Sequence, residues 1–240
     1  MTTINSTDMV WTGSIYGLVW NWYWVPFMDT VHSDILYVSI DGSGTVISDE
    51  IMVGSGTHPS VAWTGSQISL VSMDEDTSNS NTLYSRFSDT GVIHAIDEII
   101  VAGSHPSIAW AGGSLGLTYS SITAGEVGVH FLSLDEAGAH IGTDVIISPR
   151  VEPCSTNSPL AWTGDAFGIA TCGAGLSIVD SLGTSLGSIA DMALYDTSLT
   201  PSIVWTGSSF GMAWIELNES YWYVHFAQVS SDATDYTAPI

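Results

Sequence analysis

Apolar residues along this chain fall in short runs of four to eight, rich in Val, Ile, Trp and Tyr, cut by Gly, Asp and Ser. No stretch sustains the i, i+3, i+4, i+7 spacing of a helix face, so the runs read as β-strands. Residues 60–63 form one strand, closed by the turn Thr64-Gly65-Ser66, and residues 67–73 return. A polar loop, "DEDTSNSN" at 74–81, leads to a third strand at 82–88. Asp89-Thr90-Gly91 turns the chain into a fourth strand at 92–101. The strict polar–apolar alternation of a half-exposed sheet is incomplete, which fits strands covered on both faces.

The pattern repeats. "HPSVAWTGS" at 58–66 returns as "HPSIAWAGG" at 105–113 and "PSIVWTGSS" at 201–209. Aligned on Trp11, Trp63, Trp110, Trp162 and Trp205, the copies are spaced by 52, 47, 52 and 43 residues. A period of about 40–50 residues with four strands per copy is the signature of propeller blades. In the phrase itself, Pro59, Pro106 and Pro201 enter the innermost strand, where a missing N–H does little harm. The Trp is read as filler between neighbouring blades, and Thr-Gly-Ser reverses the chain. The expectation is an all-β, single-domain, five-bladed β-propeller with four antiparallel strands per blade. The blades fall at about 6–57, 58–104, 105–156, 157–200 and 201–240 plus 1–5, so that the chain termini close the ring.

The repeat resembles bacterial β-propeller repeats of the P-S-[IV]-[AV]-W-T-G-S-x-[FY]-G-[LMV]-x-W kind. In blade number and length it is also similar to five-bladed tachylectin-type lectins. The resemblance spans nearly the whole chain. It implies a bacterial, secreted or surface-exposed propeller. The sugar-site motifs of the tachylectin type are not matched residue by residue, so it implies no particular binding residues.

Charge narrows the partners. The chain has 25 acidic residues against Arg86 and Arg150, a net charge of −23. Such a surface repels phosphate backbones and anionic lipid, which argues against nucleic-acid or membrane partners. The apolar run 15–28 is too short to span a bilayer and contains Pro26. The N-terminal residues lack the basic start and apolar core of a signal peptide. The expected location is extracellular or at the cell surface, with the chain read as a mature fragment. Cys154 and Cys172 could be bridged, and strand register decides whether they are.

Candidate chemistry is sparse. A glycosidase needs two or three carboxylates converging on one pocket. Asp74, Glu75, Asp165 and Glu216 lie on or near inner strands, but neither arginine frames them. No catalytic residue is therefore assigned, and the chain is read as not an enzyme. His58 and His105 share one repeat position, and His130 and His225 another; these and the remaining histidines are read as structural or surface residues, with no metal site and no cofactor. Calcium is the one ion that the oxygen-rich loops at 41–44 and 74–81 would suit, although neither has EF-hand spacing. The most unusual stretch is "VWNWYWVPF" at 19–27. Trp22, Tyr23 and Trp24 extend past the regular framework, in what reads as a long loop, and Tyr221, Trp222 and Tyr223 occupy the matching loop of the fifth copy. Together they form the candidate ligand-binding patch, since rings stack on sugar faces and also anchor proteins. The functional expectation is a non-catalytic, lectin-like module binding a glycan or surface protein, as a monomer or weak homo-oligomer. The alternatives are an assembly subunit using the same aromatics and, third, a glycosidase-like hydrolase.

Overall fold

A computed structural model describes residues 3–24, 32–74, 80–123, 126–150, 157–190, 192–193 and 198–240. Among these residues there are nineteen strands and no helix. The first sheet holds β1 (Thr3–Trp11), β2 (Tyr16–Trp24), β3 (His32–Ile40) and β4 (Ile51–Ser55). The second holds β5 (Thr57–Trp63), β6 (Ile68–Asp74), β7 (Asn81–Phe87) and β8 (Ile93–Ala102). The third is built of β9 (Ser104–Trp110), β10 (Leu115–Thr123), β11 (Glu126–Leu134) and β12 (Val145–Arg150). The fourth contains β13 (Leu160–Trp162), β14 (Phe167–Thr171), β15 (Gly175–Val179) and β16 (Ser185–Ile189). The fifth has three strands, β17 (Ser198–Trp205), β18 (Ser209–Asn218) and β19 (Tyr221–Ser230). Neighbouring strands follow the chain order, as the repeat requires, and five sheets on this plan fit a propeller-like arrangement.

Two features differ from the expected plan at the termini. Thr3 and Ile4 pair with Tyr23 and Trp22 in the first sheet. In the fifth sheet, residues 236–240 run beside only the later part of β19, through the Val229–Tyr236 bridge and mutual Phe226–Ile240 hydrogen bonds.

The chain divides into two compact units, residues 1–110 with 136–139, and residues 111–135 with 140–240. In the first unit Val19, Ile35 and Tyr37 of the first sheet bury against Val61, Ile68, Leu70 and Phe87 of the second. In the second unit Leu176 and Ile178 bury against Phe210, Met212, Trp214, Ala227 and Val229. Fully burying each such side chain contributes about 1.5–3 kcal/mol.

The repeated phrase has a mechanical reading at two points. Its serine links successive innermost strands: Ser60 Oγ accepts the Ile108 amide at 3.3 Å. Asp8 holds the same position in β1, and its carboxylate accepts the Val61 amide at 2.8 Å. The glycine after the hairpin makes room for the next sheet. A Cβ on Gly168 would lie 2.3 Å from the Phe210 ring, and one on Gly116 would lie 2.7 Å from Phe167. The anchoring tryptophans are half-buried or exposed rather than sealed, with Trp63 and Trp205 packed against the clusters that join neighbouring sheets. Trp11, Trp162 and Trp205 pack across their own hairpins on Tyr16, Phe167 and Phe210 at 4.6, 4.6 and 4.9 Å. Trp11 remains 45% exposed, because the corner of a hairpin has only one covered side.

Candidate functional site

The expected aromatic loops are strand instead. β2 continues through Trp22, Tyr23 and Trp24, which pair with Asp34, Ser33 and His32 of β3. Tyr221, Trp222 and Tyr223 open β19, opposite Asn218, Leu217 and Glu216, across a two-residue tip at Glu219-Ser220. Aromatic residues that run past the framework position resemble a loop, but in each segment the ladder runs on by several residues. Trp22 is exposed and Tyr23 half-buried, while Tyr221 and Trp222 are largely open to solvent.

Of the four candidate acids, Asp165 sits exposed in the hairpin turn of the fourth sheet, where its amide bonds Thr163 Oγ1 at 3.2 Å. Glu75 lies outside the described residues. Asp74, half-buried, ends β6 opposite Asn81. Glu216 is fully buried. Asp74 and Glu216 occupy one repeat position, two residues beyond the aligned pair Ser72 and Trp214.

Around Glu216 the second unit builds a cluster. The Trp214 indole N–H donates to Glu216 Oε1 at 2.5 Å. His225 Nε2 lies 3.7 Å from Glu216 Oε2. Trp214 and His225 pair across β18 and β19, their rings stacked at 5.9 Å. Tyr223, on the same face of β19, is 6.4 Å from His225. Burying a carboxylate without a cation costs several kcal/mol unless polar partners offset it. Among the partners here are an indole and, 3.7 Å away, an imidazole.

The third sheet repeats the aromatic–histidine pair with a different acid. Tyr119 opposes His130 across β10 and β11, with the rings 5.1 Å apart. His130 is 1% exposed. Its Nδ1 is 3.0 Å from both Asp144 oxygens, so this nitrogen carries the proton and donates it. His130 Nε2 is buried with no hydrogen-bond partner among the described residues. Burial works against the charge of Asp144, but hydrogen bonds from His130 and Tyr119 hold its carboxyl below the ordinary value. Burial, followed by the Asp144 charge, pushes the Tyr119 hydroxyl far up.

The first unit brings His58 and His105, which share one repeat position, together with rings 4.9 Å apart. Each precedes the proline of its phrase with a positive φ, 51° and 54°. That conformation costs about 1–2 kcal/mol for a non-glycine residue. Nearby in the sequence of β1, burial raises the Asp8 carboxyl, opposed by hydrogen bonds from Val61, Met9 and Ser60.

No group of three or more His, Cys, Asp or Glu suited to a metal occurs among the described residues. In the loop at 41–44, Asp41 Oδ1 accepts the Ser43 and Thr45 amides at 2.8 and 3.0 Å. The Ser43 hydroxyl, then those amides, lower the Asp41 carboxyl. Asp180 accepts two amides in the same way in the fourth sheet. These acids serve as turn acceptors. Cys172 is disulfide-bonded, and the chain's other cysteine, Cys154, lies outside the described residues.

No known family model matches the chain, and no curated protein does. Solved structures do. A prolyl endopeptidase is similar with a TM-score of 0.52 at 13% identity, over 100% of this chain and 34% of that one. A subtype N11 neuraminidase-like protein of A/flat-faced bat/Peru is similar with a TM-score of 0.50 at 15% identity, over 80% of this chain and 53% of that one. A glycosyl hydrolase from Bacteroides ovatus is similar with a TM-score of 0.49 at 7% identity, over 98% of this chain and 86% of that one. The chain thus spans about a third of the endopeptidase and about half of the neuraminidase-like protein. At these identities the likeness is one of fold. The comparisons nevertheless correct two expectations, the non-catalytic lectin-like module and the chain that is no enzyme. The two similar structures with a TM-score of 0.50 or above are described as a prolyl endopeptidase and a neuraminidase-like protein.

Proposed function

We propose that this chain is a hydrolase of the glycosidase kind, with Glu216 as an acid–base carboxyl and His225 as its proton partner. The observation that carries the reading is the complete burial of Glu216 against Trp214 and His225. A fully buried acid beside a histidine is a candidate position for proton-transfer chemistry. Tyr221 and Tyr223, on the His225 face of β19, supply rings for packing on a sugar.

In the chemistry this assigns, the carboxyl of Glu216 gives a proton to the leaving oxygen while water adds to the anomeric carbon in place of the bond being cleaved. His225 takes the proton that the water loses and returns it to Glu216, and the Trp214 N–H holds the carboxyl in one orientation throughout. General acid–base help of this sort is worth about 10²–10⁴-fold in rate. The test is release of chromophore from a panel of aryl glycosides. The wild type should turn over at least one of them, and Glu216→Gln should lose about 10²-fold or more with an unchanged far-UV spectrum. Silence across the panel, or full activity of the variant, would overturn the reading.

A further inference from the structure

One repeat position, five residues before each anchoring tryptophan, carries Ser6, His58, His105, Asn157 and Thr200 in the five copies. The innermost strand bulges there. Register slips between Ile4 and Thr7 in β1, between Thr57 and Ser60 in β5, and between Leu199 and Ser202 in β17. A bulge re-aims a side chain and is common beside functional sites. Serine and threonine hold the position in β1 and β17, so the bulge itself does not call for histidine. Nor does the positive φ of His58 and His105, which asparagine adopts as readily.

Histidine stands at this point in two successive copies, and the first unit brings the two rings together. The Ser60–Ile108 hydrogen bond joins β5 to β9 just beyond the pair. The ring centres are 4.9 Å apart, with the planes at 65°. Two imidazoles on one metal ion, each at a metal–nitrogen distance of about 2.0–2.1 Å, have centres about 4.5–5.2 Å apart at octahedral to tetrahedral angles. The observed spacing therefore suits a shared ion. His58 Nδ1 lies 3.1 Å from Thr57 Oγ1, a contact that orients the ring and leaves Nε2 to coordinate. His105 Nδ1 is buried, so Nε2 is its coordinating nitrogen as well. Both residues are half-buried, so an ion can reach them from solvent.

We propose that His58 and His105 form a binding site for a divalent transition metal, with water completing the coordination shell. Imidazole suits zinc, nickel and copper, whereas calcium and magnesium require oxygen ligands. The net charge of −23 draws cations toward the molecule and raises their local concentration. Two protein ligands, with no third His, Cys, Asp or Glu grouped with them among the described residues, make a site of moderate affinity that exchanges its ion readily. The bound ion ties β5 to β9 and so braces two innermost strands. The site does not depend on the hydrolase reading, and metal binding is scored apart from turnover.

Calorimetric titration of the full chain with nickel or zinc tests this, in excess magnesium to occupy surface carboxylates. One ion should bind per chain, with Kd about 1–100 µM. His58→Asn and His105→Asn keep a side chain that tolerates the positive φ, and each should weaken binding at least about tenfold. His94→Asn, at an exposed histidine elsewhere in the same unit, should leave it unchanged. Copper bound to the wild type should show electron-spin coupling to two nitrogens, a readout that needs no variant. Absence of binding, binding that survives both substitutions, an equal loss in His94→Asn, or copper coupled to fewer than two nitrogens would overturn the proposal.

Discussion

The third and fifth sheets place the same pair, an aromatic ring and a histidine, at the same point of the repeat, yet surround it differently. In the third sheet Asp144 reaches His130 from the approach to β12 and keeps its side chain 40% exposed. In the fifth, Glu216 comes from β18 itself and is sealed from solvent. Water can solvate the first carboxylate if a partner is lost, whereas the second depends wholly on its neighbours. The comparison teaches that the repeat supplies the stacked pair as framework, and that the origin of the acid decides whether the cluster is linked to the surface or enclosed within the sheet.

Substitutions at matched positions sharpen that contrast. The largest effect is expected at the histidines. His225→Gln should slow glycoside turnover about 10–100-fold, while His130→Gln should leave it within about twofold, both read from initial rates. Next comes the donor to each acid. Trp214→Phe leaves a buried carboxylate without its N–H and should lower unfolding free energy by about 2–3 kcal/mol in urea. Tyr119→Phe should cost only about 0.5–1.5 kcal/mol, because solvent reaches Asp144.

The smallest effect is in pH. The folded Asp144 carboxyl lies below its ordinary value. Its contribution to stability is therefore present above about pH 4 and is lost as pH falls through the lowered value. Thermal melts of Asp144→Asn should show a shallower decline than the wild type over that acid range. An equal decline would mean that the His130 and Tyr119 hydrogen bonds do not stabilise the charged carboxylate.

The architecture was legible because the chain writes its strand plan five times. In the second copy the strands expected at 67–73 and 82–88 are β6 and β7 to within one residue. The aromatic segments were misread for a physical reason. Trp22–Trp24 and Tyr221–Tyr223 follow polar or acidic residues that resemble a loop edge, but only the register across the hairpin reveals that both ladders continue. The same register hid the candidate site. Glu216 was visible as an acid, and His225 was matched to His130 through "VHF", but nothing in the linear sequence joined them. The two-residue tip at Glu219-Ser220 sets Trp214 opposite His225, and only that pairing brings the carboxyl to the imidazole. A recurring aromatic before an acid on one strand, opposite a recurring histidine on the next, was the signal available. The contact between His58 and His105 joins two copies at one repeat position rather than two strands of one hairpin, so their matched position was visible but the contact was not.

The account stands most directly on one paired rate measurement, Glu216→Gln against Asp144→Asn, on the aryl glycoside that the wild type hydrolyses best. Loss of about 10²-fold or more in the first, with the second within about threefold of wild type, is the predicted result. Equal losses, or a loss confined to Asp144→Asn, would contradict it.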